Sequence, residues 1–230
     1  MSIQYYLIHG IDKPRGPRMT KEFEQWGLDN NTVKWILQPN KDKIDDEFRK
    51  NVLNKEISYS CGIFTLPLCP NISNGQISCT FKHYLCLKDI IENNYEYGVI
   101  MEDNQFFCGE IPFHVKLYIK QLNDIYPDWD IIFDSKSFNY KNIEESEVKE
   151  GIYVYPKSNE ITYYGHGGTR LAQFYILTNK CARKLYENYI PFNNAPDWWM
   201  NDLFRKLSIK SFWAHPCISD VFPHISTSIN

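Results

Sequence analysis

Three consecutive side chains with potential oxygen ligands, Glu102, Asp103 and Asn104, directly follow a short hydrophobic run at 98–101. Hard divalent cations such as Mg²⁺ prefer oxygen ligands and commonly bind one or two carboxylates together with phosphate oxygens. The hydrophobic run does not alternate with polar residues, which is typical of a strand covered on both faces. Open α/β sheets bind ligands outside the carboxyl ends of their strands. The pattern predicts a site for a metal or a sugar nucleotide; the alternative is that these acids are solvated or cap a helix.

A second candidate for chemistry is Asp197, which follows Pro196 and precedes two tryptophans. An aspartate that is partly withdrawn from water is a better proton acceptor, and the indole rings could stack on a sugar. We therefore predict that Asp197 is a general base, with Asp202, about one helical turn further on, as the fallback. The alternative is that Asp197 only caps the start of a helix.

Four basic or imidazole side chains could contact a ligand near these acids. Arg15 and Arg18 follow the first predicted strand, and their guanidinium groups suit phosphate or uracil oxygens. His166 lies in a glycine loop, where the backbone can approach a ligand closely. His83 lies on the apolar face of a predicted helix. The alternatives are surface charge for the arginines, an ordinary turn around His166 and a core histidine at position 83.

Predicted strands and helices alternate along the chain and would position these residues. Strands are predicted at 3–9, 33–38, 98–101, 129–133, 151–155, 160–164, 172–177 and 211–214. Helices are predicted at 20–26, 42–55, 113–126, 198–207 and from 178 onward, together with a helix of about four turns before Glu92 that Ser78 or Thr80 would cap. This alternation favours an α/β fold with a mostly parallel sheet flanked by helices. We predict a single domain over 1–230, with mobile loops at 56–74 and 136–150.

The composition narrows the class of protein. The 230 residues are 43% hydrophobic, enough for one sizeable core, and the net charge of −3 gives no basic field for nucleic acid. No apolar run approaches the roughly 20 residues that span a bilayer, and the N-terminus lacks the layout of a signal peptide. Seven cysteines without CxxC pairs indicate reduced thiols. We expect a cytoplasmic protein of bacterial or viral origin, with homo-oligomers left open.

Four blocks of the sequence, in this order, resemble glycosyltransferase family 25, the lipooligosaccharide and collagen-type galactosyltransferases. They are Tyr6-Leu7-Ile8 followed by Arg15 and Arg18, Gly75-Gln76-Ile77-Ser78-Cys79-Thr80-Phe81-Lys82-His83, Ile100-Met101-Glu102-Asp103-Asn104, and Phe174-Tyr175-Ile176-Leu177 with Ala195-Pro196-Asp197 beyond it. Two positions depart from the family pattern, because Lys82 replaces a serine and Asn104 replaces an acid.

The resemblance implies a GT-A fold, a Rossmann-like sheet that binds a nucleotide sugar. It implies an inverting transfer of a hexose, galactose or glucose, from a UDP-sugar to a hydroxyl of a glycan or protein-linked acceptor, with Mn²⁺ or Mg²⁺. The implied donor-binding residues are Tyr6, Leu7, Arg15, Arg18, His83, Glu102 and Asp103, and His166 is added to them from its place in the glycine loop. The implied metal ligands are Asp103, Asn104 and, by analogy with GT-A enzymes in general, His215.

Two rival functions follow from the same residues. Asn104 adds no charge to a cation site, so the chain could be a non-catalytic binding or adaptor protein that keeps the fold. A metal-dependent phosphoesterase could also use the acids at 102–103, but the chain has only six histidines to support such a site.

Overall fold

The computed structural model describes residues 1–11, 14–53, 72–134, 148–159 and 172–221. The strands are β1 (Ile3–Ile8), β2 (Val33–Ile36), β3 (Tyr97–Glu102), β4 (Gln105–Phe107), β5 (Ile131–Phe133), β6 (Val154–Lys157), β7 (Phe174–Thr178), β8 (Ser211–Ala214) and β9 (Ser219–Val221). The helices are α1 (Gly16–Gln25), α2 (Asp46–Val52), α3 (Asn74–Glu92), α4 (Ile111–Ile125), α5 (Asn179–Tyr189) and α6 (Pro196–Lys206). The predicted strand at 160–164, His166 and most of the two predicted loops lie outside the described residues.

Seven of these strands form one mixed sheet in the order β2-β1-β3-β7-β5-β8-β6. Strands β1, β2, β3, β5 and β8 run in one direction, and β7 and β6 run in the opposite direction. The predicted α/β fold with a mostly parallel sheet is therefore confirmed. The short strands β4 and β9 form a separate antiparallel pair.

The sheet is covered by helices on both faces, so neighbouring residues of one strand enter different cores. Ile100 of β3 packs in the core that contains residues of α3, α5 and α6. Val99 packs in the opposite core, with residues of α1 and α4. Both side chains are fully buried, which explains why β3 is a hydrophobic run without alternation. In the described part of the chain, no helix has the length and hydrophobicity needed to cross a membrane.

Helix α3 begins earlier than predicted. Its N-cap is Ser73, whose hydroxyl accepts from the Gln76 backbone while the Gln76 side chain accepts from the Ser73 backbone N–H. This reciprocal capping box satisfies two backbone donors that the helix start leaves open. The prediction that Ser78 or Thr80 caps the helix is wrong, since both lie inside it and are buried.

Two prolines lie inside a helix and a strand whose bounds the sequence predicted to exclude them. Pro17 lies in the first turn of α1, where its missing N–H costs no hydrogen bond, so the helix begins at Gly16 and not at residue 20. Pro156 lies within β6, which the sequence predicted to end at 155. Strand β6 is at the edge of the sheet, where a proline is tolerated. The sequence also gave no sign of β9, which has only three residues.

Gly98 allows α3 to pack closely on β3. A Cβ atom at this position would lie 2.2 Å from Cδ1 and 2.9 Å from Cγ1 of Ile90. Ile90 is fully buried in the core between α3 and the sheet. The glycine is thus required by this helix–sheet contact.

We predict that Gly98→Ala lowers the free energy of unfolding by about 1–3 kcal/mol, because overpacking a filled core forces side chains or backbone to shift. Urea denaturation monitored by circular dichroism measures the change. Gly75→Ala is the matched control, since its nearest non-neighbouring atom would be Oγ of Ser73 at 3.8 Å and alanine favours the helix. Equal stability of the two variants would contradict the packing account.

Candidate functional site

The carboxyl ends of β1 and β3 lie side by side and form the centre of the candidate site. Ile8 of β1 is paired with Glu102 of β3, so the residues that follow, His9 and Asp103, meet above the sheet edge. Nδ1 of His9 lies 2.6 Å from Oδ2 of Asp103, and the backbone N–H of Gly10 also points to this oxygen at 3.4 Å. The Asp103 side chain is only 10% exposed.

Two arginines, one just before helix α1 and one within it, hold the loop after β3. Nη1 of Arg15, the residue just before the helix, donates to Oδ1 of Asp103 at 2.9 Å. Arg18 donates from its two terminal nitrogens to the backbone carbonyls of Asp103 and Gln105. The middle acid of the predicted cluster is therefore occupied on both oxygens, and the loop is fixed by charge-assisted hydrogen bonds.

These contacts set the charge state of Asp103. Burial raises the pKa of the carboxyl, but hydrogen bonds from His9 and Arg15 and the positive charges of these groups lower it by more. The net pKa lies below the ordinary value, so the group is a carboxylate at neutral pH. Its negative charge stabilises the contact between the loop after β3 and the start of α1.

Glu102 points to the opposite side, toward α3. Its Oε1 accepts from Nε2 of His83 at 3.2 Å and lies 3.8 Å from the sulfur of Cys79. The other ring nitrogen of His83 lies 2.7 Å from the hydroxyl of Tyr175, a residue of β7. His83 is fully buried, which agrees with the alternative that it is a core histidine, and it lies beside Glu102 of the acidic cluster.

The N-terminus of α6 reaches the same neighbourhood. Burial raises the pKa of the Cys79 thiol well above its usual value, and the negative charges of Glu102, Asp103 and Asp197 raise it further, against the opposing charge of Lys82. Geometry also places Asp197 near the cluster, because the hydroxyl of Thr80, next to Cys79 on α3, donates at 3.2 Å to the carbonyl of Asn194, three residues before Asp197. It lies in the first turn of α6, where its Oδ1 accepts from the next backbone N–H at 3.0 Å.

Lys82 and Asp202 have defined partners in the structure. The buried ammonium of Lys82 donates to the backbone carbonyl of His9 at 2.8 Å and so joins α3 to the end of β1. Asp202 pairs with Arg205 one turn along the same helix. Only Asp197 of the two predicted bases lies at the helix start that faces the cluster.

Buried amide groups without partners mark the remaining part of this edge. Asn104, Gln105 and Gln173 are each less than 8% exposed. Among the described residues, Oδ1 of Asn104 and both polar side-chain atoms of each glutamine have no hydrogen-bond partner. A buried polar atom without a partner costs free energy, so such groups need an explanation such as a water, an ion or a ligand.

The residues present fit a divalent cation. Oδ1 of Asn104 is an unpartnered oxygen, and the partly buried carboxylate of Glu102 lies two residues before it. A carboxylate and an amide oxygen are a small but suitable ligand set for an ion that also binds phosphate oxygens. The carboxylate of Asp103 is less suitable, because protein donors already occupy it.

Two predicted donor-binding residues are corrected by the structure. The side chains of Tyr6 and Leu7 are fully buried, on opposite faces of the sheet. The hydroxyl of Tyr6 donates to Asp89 of α3 at 2.7 Å. Neither side chain is presented to a ligand, since the strand that carries them is covered on both faces.

The other predicted residues are placed as follows. Arg15 and Arg18 lie at the site but contact the protein. His215 follows β8, which is separated from β3 by β7 and β5, and its ring packs edge-on against Tyr155. Among the described residues, His215 is not part of any group of three His, Cys, Asp or Glu side chains with close ligand atoms. His166 lies outside the described residues.

Sequence reasoning missed His9 and Gln173. His9 was assigned to the first strand, although a histidine at a strand end is a usual signal for a site residue. Gln173 gives no local signal: it lies opposite Glu102 only because β7 runs antiparallel to β3, and its carbonyl accepts the Glu102 N–H at 2.8 Å.

The sequence profile of glycosyltransferase family 25 (LPS biosynthesis protein) matches residues 11–200. The chain belongs to glycosyltransferase family 25. The resemblance predicted from the four sequence blocks is therefore confirmed, and membership in this family supports a transferase that uses a sugar donor and a glycan acceptor. No curated protein sequence matches the chain significantly.

Two solved structures are distantly similar to this family 25 chain. A protein from STIV has 9% sequence identity and a TM-score of 0.43, over 93% of this chain and 81% of that one. CMP:2-keto-3-deoxy-manno-octonic acid synthetase complexed with CTP has 9% identity and a TM-score of 0.44, over 95% of this chain and 93% of that one. Similarity at this level does not bear on the chemistry of the family 25 site.

We predict that Asp103→Asn lowers the free energy of unfolding at pH 7 by about 3 kcal/mol, because removing one partner of a buried pair leaves the other charges uncompensated. The folded-state pKa of Asp103 is lowered, so its contribution to stability is present above the usual aspartate pKa of about 4 and is lost as the pH falls through the folded value. The difference between wild type and variant should therefore shrink in acid.

Urea denaturation at a series of pH values measures this difference. Asp124→Asn is the control, because Asp124 pairs with Lys120 on the exposed face of α4 and such pairs contribute about 0.5 kcal/mol or less. A loss that stays constant down to pH 2, or one no larger than that of the control, would contradict the assigned ion pair.

Proposed function

We propose that this family 25 protein transfers a hexose, galactose or glucose, from a UDP-sugar to a hydroxyl of a glycan or protein-linked acceptor, with inversion and with a divalent cation. The observation that carries the proposal is the set of unpartnered buried amides beside Glu102, at the carboxyl ends of β1 and β3. Ligands of α/β sheets bind at this edge. A sugar hydroxyl both donates and accepts hydrogen bonds. A side-chain amide can match both roles, because its nitrogen donates and its oxygen accepts.

The cation would be held by Glu102 and Asn104, and Mn²⁺ or Mg²⁺ suits these oxygen ligands. When bound, such an ion neutralises the charge on a diphosphate leaving group. Asp103 has a positioning role in this proposal. Its carboxylate fixes the loop against α1 through Arg15 and His9, and so holds the residues on either side at the sheet edge.

Asp197 is the proposed general base. Its position in the first turn of α6 places a carboxylate near the Glu102 cluster, and Trp198 follows it directly. The base accepts the proton of the acceptor hydroxyl while that oxygen attacks the anomeric carbon. The sugar–phosphate bond breaks on the opposite side, which inverts the anomeric configuration. Asp202 is the weaker candidate, because Arg205 already pairs with it.

A binding protein without turnover is the second candidate. The uncharged Asn104 favours it, since an amide contributes no charge to a cation site. The glycosyltransferase and the binding protein predict the same ligand and differ only in whether UDP is released.

The proposal is tested by incubating the protein with UDP-galactose or UDP-glucose, Mn²⁺ and a panel of glycans, and by measuring UDP release and the anomeric configuration of the product. Asp197→Asn should lower turnover at neutral pH at least about 100-fold, the usual contribution of a general base. Asp202→Asn should leave turnover nearly unchanged. Donor binding without UDP release for every acceptor would favour the binding protein, and retained turnover in Asp197→Asn would remove the base assignment.

Gln173→Leu separates a ligand-binding role from a structural one. We predict that the variant has a higher melting temperature, because the leucine removes a buried amide that has no partner among the described residues, at a saving of about 1–3 kcal/mol. We also predict at least a tenfold loss of kcat/KM for the sugar donor. Thermal denaturation and donor kinetics measure the two effects.

Gln121→Leu is the matched control. Gln121 lies on α4, and its side chain donates to the carbonyl of Gly151 and accepts from the N–H of Tyr153. Its replacement should lower stability and leave transfer unchanged. If Gln173→Leu lowers stability in the same way, the glutamine is part of the fold and not of the ligand site.

A further inference from the structure

We propose that Cys79, His83 and Glu102 form a binding site for a zinc-type divalent ion on the α3 side of Glu102. The sulfur of Cys79, a ring nitrogen of His83 and a carboxylate oxygen of Glu102 all lie within 4.8 Å of one another. They are the only such group of three among the His, Cys, Asp and Glu side chains that the structure describes.

The distances between the ligand atoms suit tetrahedral coordination. Tetrahedral bonds of about 2.0–2.3 Å to oxygen, nitrogen and sulfur place neighbouring ligand atoms roughly 3.3–3.5 Å apart. Oε1 of Glu102 lies 3.2 Å from Nε2 of His83 and 3.8 Å from Sγ of Cys79. The ring nitrogen of His83 and Sγ of Cys79 lie within 4.8 Å of each other. An approach of at most roughly 1.3 Å between them would complete three of the four positions, with the fourth left for water or a ligand oxygen.

Secondary structure supplies two of the ligands in a fixed arrangement. Cys79 and His83 are four residues apart on α3 and therefore lie on one face of the helix. Glu102 ends β3, onto which α3 packs through Gly98. No loop has to order for the three atoms to meet.

The hydroxyl of Tyr175 gives His83 the partner that a metal-bound histidine needs. It lies 2.7 Å from Nδ1, so the ring can donate there and present the lone pair of Nε2 to the ion. Metal-bound histidines almost always donate their other N–H in this way. Tyr175 is itself buried on β7, which fixes the orientation of the imidazole.

The chemistry of the three ligands selects the ion. Thiolate and imidazole favour zinc-type ions over Mg²⁺ or Ca²⁺, which prefer oxygen. Binding of a divalent ion would release the thiol proton of Cys79 to solvent. One thiolate and one carboxylate would then balance the two positive charges of the ion. A neutral site is compatible with this partly buried position, where an unbalanced charge would be costly.

The site shares Glu102 with the cation site of the proposed function. If that proposal is right, zinc bound on the α3 side competes for the carboxylate and inhibits transfer. The binding itself does not depend on the proposed function, because it requires neither donor nor turnover.

Titration of the full chain with Co²⁺ under reducing conditions, followed by displacement with Zn²⁺, tests the site. A thiolate ligand gives a sulfur-to-cobalt charge-transfer band, and tetrahedral coordination gives intense visible bands. We expect one saturable site in the wild type. Cys79→Ala should lose the charge-transfer band, and Tyr175→Phe should bind about 10–100-fold more weakly, as is usual when such an outer partner is removed.

Cys108→Ala is the matched control, since Cys108 is an exposed cysteine outside the cluster, and it should bind like the wild type. If Cys79→Ala fails to fold, Glu102→Gln provides the same test through loss of affinity. The proposal is overturned if the wild type shows no saturable band, or if the band persists in Cys79→Ala and disappears in Cys108→Ala. Zinc binding without any effect on transfer would instead count against the role of Glu102 in the proposed function.

Discussion

The carboxylate of Asp103 is the interaction on which the arrangement of the site depends. It lies where two parallel strands end, and it joins His9 after β1 to Arg15 before α1. Three separate segments of the chain thus meet at one buried negative charge. Because breaking a buried charged network is costly, the loop after β3 is held in one conformation.

This ion pair separates the roles of three adjacent residues. The middle acid, Asp103, turns toward α1 and is used by the fold. Glu102 turns toward α3, where His83 and Cys79 contact it. Asn104 keeps an oxygen without a partner among the described residues. In the sequence these three residues look like one metal-binding motif. In the structure Asp103 is held by protein donors, while Glu102 and Asn104 on either side of it have different surroundings.

The features that sequence predicted well are those set by local pattern. The unalternating run at 98–101 indicated a strand covered on both faces, and the acids after it indicated where this strand leaves the core. The predicted bounds of α1 and β6 excluded Pro17 and Pro156, because the effect of a proline depends on whether a helix is starting or a strand is at an edge, and neither is visible locally. His83 lies on the predicted apolar face of α3, and its partners on β3 and β7 explain its burial. Lys82 is buried because it donates to the carbonyl of His9, just after β1.

The site itself could be predicted only in part, since several of its members meet through tertiary contacts. Gln173, 71 residues after Glu102 in the chain, is brought opposite it by an antiparallel strand, and Tyr175 follows Gln173 on the same face. Tyr6 seemed to be a site residue from its place before the arginine turn, but the two-sided cover of β1 buries it. Sequence patterns were sufficient to locate the sheet edge at the end of β3. The pairing of β3 with β1 and β7 determines which side chains reach that edge.

The central claim is that a cation and a nucleotide bind at the end of β3. Backbone amide NMR spectra recorded during titration with Mn²⁺ in the presence of UDP test it most directly, because a paramagnetic ion broadens the signals of nuclei close to it. The account predicts that the signals of Glu102, Asn104 and Gln105 disappear first, together with that of Gln173. Broadening centred elsewhere, such as around the exposed acids of α2 or α4, with these signals intact, would contradict it.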